Sequence, residues 1–174
     1  MSYTYSNLSL PLTHRETPID APAPGHRALE DPAFPFEELG EIAELESWRK
    51  EVNRPIYHLH KWWAQRLGSV FRGILIAAVE QDPSCVMPAF YLPTRYLGTT
   101  VFDPFMGSGT TIGEALKLGM RGIGRDINHV AYFAVRNALT RYAPDQVIAT
   151  FEVIERDIAP QLRTYYTTRL ESGV

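Results

Sequence analysis

VFDPFMGSGTTIGEALKLGMRGIGRDINHVAYFAV, residues 101–135, is the stretch whose reading decides the fold. Residues 99–103 are a short β-rich run, residues 105–109 a turn with two glycines, and residues 110–118 a helix that stops at Gly119. After a tight turn a second strand is predicted over residues 122–127, and helical spacing returns over residues 130–142. Two successive βα units predict a parallel sheet, so the fold class is α/β. The chemistry belongs at the first turn. Gly107 and Gly109 lack Cβ atoms, so the backbone turns tightly off the strand and a ligand can lie against it, with a helix N-terminus starting near Thr110. A triphosphate-binding loop needs a Lys before the Ser/Thr pair, but Gly109 directly precedes Thr110 and Thr111, which excludes that class. A dinucleotide fold needs a third glycine where Ile112 stands, although an acid follows at Asp126, so a nicotinamide-cofactor enzyme survives only as a weakened alternative.

Outward from this core the pattern changes. Residues 1–35 hold Pro11, Pro18, Pro22, Pro24, Pro32 and Pro35 without sustained periodicity and read as an extended arm. Leu39, Ile42, Ala43, Leu45 and Trp48 recur at helical spacing, which predicts an amphipathic helix ending before Pro55. A second helix is predicted over residues 62–79, where Trp63, Leu67, Val70, Phe71, Ile74, Leu75 and Ala78 form a broad apolar stripe. Pro83, Pro88 and Pro93 make residues 81–98 a loop or hairpin-like excursion. Asp145 can cap a long amphipathic segment carrying Val147, Ile148, Phe151, Ile154, Ile158 and Leu162 on one side, bent where Pro160 removes a donor. The expected organisation is an arm (1–35), a helical segment (36–98), a βαβα core (99–143) and a C-terminal helix (144–174).

At 174 residues, with 45% hydrophobic and 21% charged residues, the chain has the composition of an ordinary globular protein and needs no staples. The single cysteine, Cys85, rules out an internal disulfide and a Cys-rich zinc site and suits a reducing cytoplasm. No apolar run approaches the ~18 residues of a membrane span, and the N-terminus lacks the basic and apolar stretches of a signal peptide, so a cytoplasmic protein without a membrane role is expected. Residues 1–47 hold nine acids against Arg15 and Arg27, a balance of −7, whereas residues 48–174 balance at +4. Two readings follow from that asymmetry: a solvated acidic arm beside a near-neutral domain, or a domain that faces a polyanion. His58 and His60 have no Cys, His or carboxylate cluster to join, so no metal site is expected.

Asp103-Pro104-Phe105-Met106-Gly107-Ser108-Gly109-Thr110-Thr111 resembles the S-adenosylmethionine loop of DNA methyltransferases that modify the exocyclic amino groups of adenine or cytosine. Gly119, Gly122 to Gly124 and Asp126 are similar to the glycine turn and acid-ended second strand of the same family. Residues 54–66 (RPIYHLHKWWAQR) are similar to a His-x-Trp-Trp-Ala-x-Arg segment found before that loop in one branch. The resemblance spans about residues 36–143 and implies a partial Rossmann-like methyltransferase fold with S-adenosylmethionine as cofactor. It implies that Gly107 and Gly109 let the main chain approach the cofactor, while amides near residues 108–111 meet its carboxylate at a helix start. Asp126 would accept both ribose hydroxyls and Ile127 would line the adenine. Asp103 would orient the loop or the cofactor's ammonium group, or simply stabilise a turn before Pro104. His60, Trp62 and Trp63 would wall the methionine end, although Trp63 also lies on the apolar stripe and is equally readable as core. Arg54, Lys61, Arg66 and Arg72 suit either a basic face toward double-stranded DNA or a solvated helix face.

The family's transfer chemistry needs a second motif, Asp/Asn/Ser-Pro-Pro-aromatic, whose acceptors hold the target amino group while the ring stacks on the flipped base. The nearest string, Asp31-Pro32-Ala33-Phe34, has Ala for the second proline and no β-rich run before it, so no catalytic residue is assigned here. Two predicted strands are also fewer than the ~5 to 6 of an average sheet. The expectation is a chain split or truncated before that motif. Its sheet would be completed by another chain, a second methyltransferase subunit carrying the Pro-Pro-aromatic residues.

Overall fold

The computed structural model describes residues 3–5, 25–48, 59–93 and 95–167. Three short strands, β1 (Tyr3–Tyr5), β2 (Thr100–Asp103) and β3 (Arg121–Gly124), form one sheet in the order β1-β3-β2. β2 and β3 run parallel, with Val101 opposite Gly122 and Asp103 opposite Gly124, as two βα units require. β1 pairs antiparallel with the far side of β3, Tyr3 opposite Gly124 and Tyr5 opposite Gly122. Within the arm of residues 1–35, Tyr3–Tyr5 are the third strand of the sheet, a pairing the sequence did not announce. A strand of three residues contains too little periodicity to read, and its partner lies more than a hundred residues away.

Six helices are described: α1 (Phe36–Trp48), α2 (Gly68–Ala77), α3 (Val86–Tyr91), α4 (Thr110–Lys117), α5 (His129–Leu139) and α6 (Pro144–Tyr166). α2 begins six residues later than the apolar stripe suggests, because Trp62 to Gln65 form a turn closed by the Gln65 amide on the Trp62 carbonyl, 3.2 Å. Trp63 leaves the stripe and is 88% exposed. Residues 81–98 are more regular than a loop: Asp82 caps a 3-10 turn over Pro83–Cys85, which continues into α3. The second strand stops at Gly124, three residues short of Ile127. The remainder of the segment between α1 and Leu59, including Arg54, Pro55 and His58, lies outside the described residues, as do residues 6–24.

The chain divides into two units, residues 1–139 and residues 140–174. In the first, Leu75, Ile76, Val86, Tyr96, Ala115, Leu118 and Met120 form one buried cluster joined by Ala28 from the arm, which is also wholly buried. Met106, Ile112, Leu116 and Val135 form a second. α4 contributes to both, so the helix that follows the glycine turn is held on two sides. It lies close on β3, where a Cβ at Gly122 would stand 2.9 Å from the Ile112 Cγ2. α1 crosses α2 equally closely, because a Cβ at Gly73 would meet Leu39 Cδ1 at 2.6 Å. Asp31 is spent in its own turn: its Oδ1 accepts the Ala33 amide at 2.8 Å and its carbonyl the Phe34 amide at 3.0 Å. The segment before it is the 3-10 turn Ala28–Glu30.

The second unit is essentially α6. Ala143 stands at its N-cap without a side-chain bond and Pro144 occupies the first turn, so Asp145 sits inside the helix instead of capping it. The helix runs through Pro160, and its stripe from Val147 to Leu162 is exposed. Among the described residues no helix is long and apolar enough to cross a membrane.

Candidate functional site

The glycine turn is built from the ends of the two parallel strands. The Arg125 amide donates to the Asp103 carbonyl at 2.8 Å and the Met106 amide to the Arg125 carbonyl at 2.9 Å, which ties the turn after β2 to the end of β3. Asp103 Oδ1 accepts the Phe105 amide at 3.0 Å, the turn-stabilising arrangement expected of an Asp before Pro104. Gly107 and Gly109 both take the left-handed conformation, φ +51° and +78°, and Gly109 forms the N-cap of α4. Ser108 Oγ and Thr110 Oγ1 lie 3.2 Å apart, and Thr110 Oγ1 donates to the Arg66 carbonyl at 3.5 Å.

Asp126 closes the turn from β3. Its Oδ2 accepts the Gly107 amide at 2.8 Å and its Oδ1 the Asn128 amide at 2.8 Å. The Asn128 Oδ1 in turn accepts the Val130 amide at 2.9 Å and so caps α5. One carboxylate therefore links the glycine loop to the start of the next helix. Both of its oxygens already hold an amide, and each retains a second lone pair for a further donor.

A cavity of about 310 Å³ opens beside the loop, lined by Trp62, Ala64, Arg66, Phe71, Asp103, Phe105, Met106, Gly107, Ser108, Thr110 and Thr111. That volume is at the lower end for small-molecule sites, which run from about 300 to 1,000 Å³. Trp62 covers the loop: a Cβ at Gly107 would lie 3.4 Å from its Nε1, so the glycine leaves a cradle under the indole. Hydroxyls at Ser108 and Thr111, the start of α4 and Arg66 give one wall donors for an anion, while Trp62, Phe71 and Met106 give the other an apolar surface. These residues fit a ligand with a carboxylate at one end and an apolar body.

Of the residues expected at the site, Asp103, Phe105, Met106, Gly107, Ser108, Thr110, Thr111 and Trp62 line this cavity. Pro104, Gly109, Asp126 and Ile127 do not; Gly109 and Asp126 act behind it, and the Ile127 side chain is 96% exposed. His60 packs edge-on to Trp62 with ring centroids 6.4 Å apart, while Trp63 carries the Lys61 ammonium 4.1 Å from its ring. Trp63 is thus neither core nor cavity wall. Ala64, Arg66 and Phe71 join the wall unannounced by the glycine loop, although Ala64 and Arg66 belong to the segment RPIYHLHKWWAQR.

The basic face needs one correction. Arg72 turns inward: its Nε donates to the Phe90 carbonyl at 3.0 Å, its guanidinium lies 5.6 Å from the Phe90 ring, and burial lowers its pKa against the opposing pull of Glu114 and Tyr96. Lys61 and Arg66 remain exposed, and Arg54 lies outside the described residues. Among the described residues no group of three metal-ligating side chains gathers.

Residues 89–135, from α3 into α5, match a family model described as DNA methylase, of the N6/N4 methyltransferase type. The match takes in β2, the glycine loop, α4, β3 and Asp126, and it supports a DNA amino-methyltransferase relationship for that part of the chain. No curated protein and no solved structure matches.

Proposed function

We propose, with the DNA methylase match over residues 89–135 as premise, that this chain is the S-adenosylmethionine-binding subunit of a site-specific DNA amino-methyltransferase. In this reading a second subunit carries the Pro-Pro-aromatic motif and receives the flipped base. The observation that supports it is the cavity beside the left-handed glycine loop, lined by hydroxyls and a helix start on one side and by Trp62 on the other. S-adenosylmethionine, when bound, supplies a sulfonium methyl group to an exocyclic amino nitrogen of adenine or cytosine. The chain's own residues do the holding. Ser108, Thr111 and the α4 amides orient a carboxylate, Trp62 and Phe71 exclude water, and Asp126 fixes the loop by accepting the Gly107 amide. Fixing the donor in one orientation is what proximity catalysis requires of such a subunit.

Calorimetry is the direct test. The isolated chain is expected to bind S-adenosylmethionine weakly or to aggregate, and its complex with the partner to bind firmly; no binding in either ends the proposal. A second reading has one specific observation in its favour: both Asp126 oxygens are already engaged by the chain's own amides, as in a loop kept only for folding or assembly. Asp126→Ala separates the two. Loss of methylation in a complex that still assembles supports the cofactor subunit, and unchanged methylation supports the assembly role.

A further inference from the structure

We propose that Glu46, on α1 and outside the cavity, is a positioning residue for the cavity wall. Its carboxylate clamps the start of α2 and thereby fixes the turn of residues 62–66 over the glycine loop. The proposal rests on the cofactor-binding reading above and extends it to a residue beyond the family match.

The start of α2 lacks a local cap. Its N-cap is Leu67, whose side chain offers no acceptor, so the first amides of the helix need a partner from elsewhere. Glu46 provides it from more than twenty residues upstream: Oε1 accepts the Gly68 amide at 3.2 Å, Oε2 the Ser69 amide at 3.0 Å, and Oε2 also takes the Ser69 hydroxyl. A carboxylate is the favoured group there, because helix amides and dipole both point positive charge at it and the bonds are charge-assisted. Glu114 approaches the same point, 2.8 Å from where a Gly68 Cβ would stand, but its Oε1 is engaged by the Lys117 ammonium at 2.6 Å. Leu39 and Glu46, seven residues apart, lie on one face of α1, so that face grips α2 at Gly73 and at its start.

From this clamp the chain runs directly into the cavity wall. Arg66 and Leu67 precede Gly68, the Arg66 carbonyl accepts the Thr110 hydroxyl at 3.5 Å, and the Gln65 amide closes back on Trp62. Trp62 then reaches Gly107. The α2 end of the wall therefore depends on Glu46.

The test uses the full chain, in its partner complex if the isolated chain aggregates, with two readouts. Calorimetry gives the S-adenosylmethionine Kd of E46A, E46Q and S69A. Acrylamide quenching in a W48F/W63F background reports the freedom of Trp62 without any ligand. E46A is expected to raise Kd by up to about ten-fold, because binding must then order a wall that the cap had pre-organised, and to increase Trp62 quenching; E46Q, which keeps one acceptor, should fall between E46A and wild type. A lowered Tm with Kd and quenching both unchanged would overturn the proposal and leave Glu46 a structural cap. If wild type does not bind S-adenosylmethionine, the cofactor reading fails and quenching alone decides the clamp, with no change overturning it. If E46A does not fold, E46Q and S69A carry the same comparison.

Discussion

Gly109 combines two constraints that no other side chain satisfies together. Its φ is +78°, and a Cβ there would lie 2.6 Å from Val135 Cγ2, so an added methyl group is both strained and driven into α5. Gly109→Ala is expected to cost about 2–4 kcal/mol, from a left-handed non-glycine residue plus overpacking, as measured by urea unfolding. Val135→Ala in the same chain should recover only the packing part; full recovery would show that the backbone is not strained. Gly109 was legible in the sequence because a turn between strand and helix demands that conformation, but its contact with Val135 was not, since Val135 lies 26 residues further along the chain. Tyr96 is the opposite case: no motif marks it, yet it is wholly buried, with its hydroxyl donating to Glu80 Oε1 at 2.8 Å. Burial, then the bond to Glu80, pushes its pKa far above the ordinary tyrosine range. The sign follows from proton linkage. An unfolded tyrosine ionises near pH 10 while the folded one stays neutral, so the unfolded chain holds fewer protons and stability falls as pH rises above about 10. Tyr96→Phe should cost about 1–3 kcal/mol at neutral pH by leaving Glu80 short of a donor, and should flatten the alkaline fall in urea titrations across that range. An unchanged alkaline limb would assign it to other groups.

Helices were legible where capping and periodicity coincide and misplaced where they do not. α4 ends at Lys117 with Gly119 at φ +74°, as the glycine after an apolar run predicts. The apolar stripe outruns α2 because Trp63 falls in phase with it; the start of the helix is set by Glu46, a tertiary cap that no local window contains. α6 likewise starts at Pro144 instead of being capped by Asp145. The α5 start carries a plain local signal in Asn128, whose Oδ1 accepts the Val130 amide. Asn128→Ala is expected to destabilise the chain by about 1 kcal/mol. It should also loosen the loop, because losing the side-chain cap frees the segment whose main-chain amide at residue 128 is one of the two groups orienting Asp126. The measurable sign is faster hydrogen exchange at the Gly107 amide; exchange that stays at the wild-type rate would mean Asp126 holds the loop without help from the cap.

At the scale of the molecule, the sheet is covered on one side and open on the other. β1 occupies the outer edge of β3, while among the described residues no strand pairs with the outer edge of β2, the strand that carries the glycine loop. The parallel pair could be read from strand-turn-helix order, whereas β1 could not, because its pairing is non-local and its register is fixed only in the folded sheet. Phe102 on β2 is 55% exposed and Phe105 just beyond it 86% exposed, so the open edge is also apolar. Unpaired amides and carbonyls beside exposed aromatic rings favour another strand over water, which is why natural edge strands carry charge. The isolated chain should therefore self-associate reversibly, and Phe102→Lys should suppress this without lowering Tm, since a half-exposed ring contributes little to the core. Sedimentation velocity over a range of concentrations reads the difference. A wild-type chain that stays monomeric throughout would mean the edge is already protected. Self-association unaffected by Phe102→Lys would locate it elsewhere, with the exposed stripe of α6 the next surface to test.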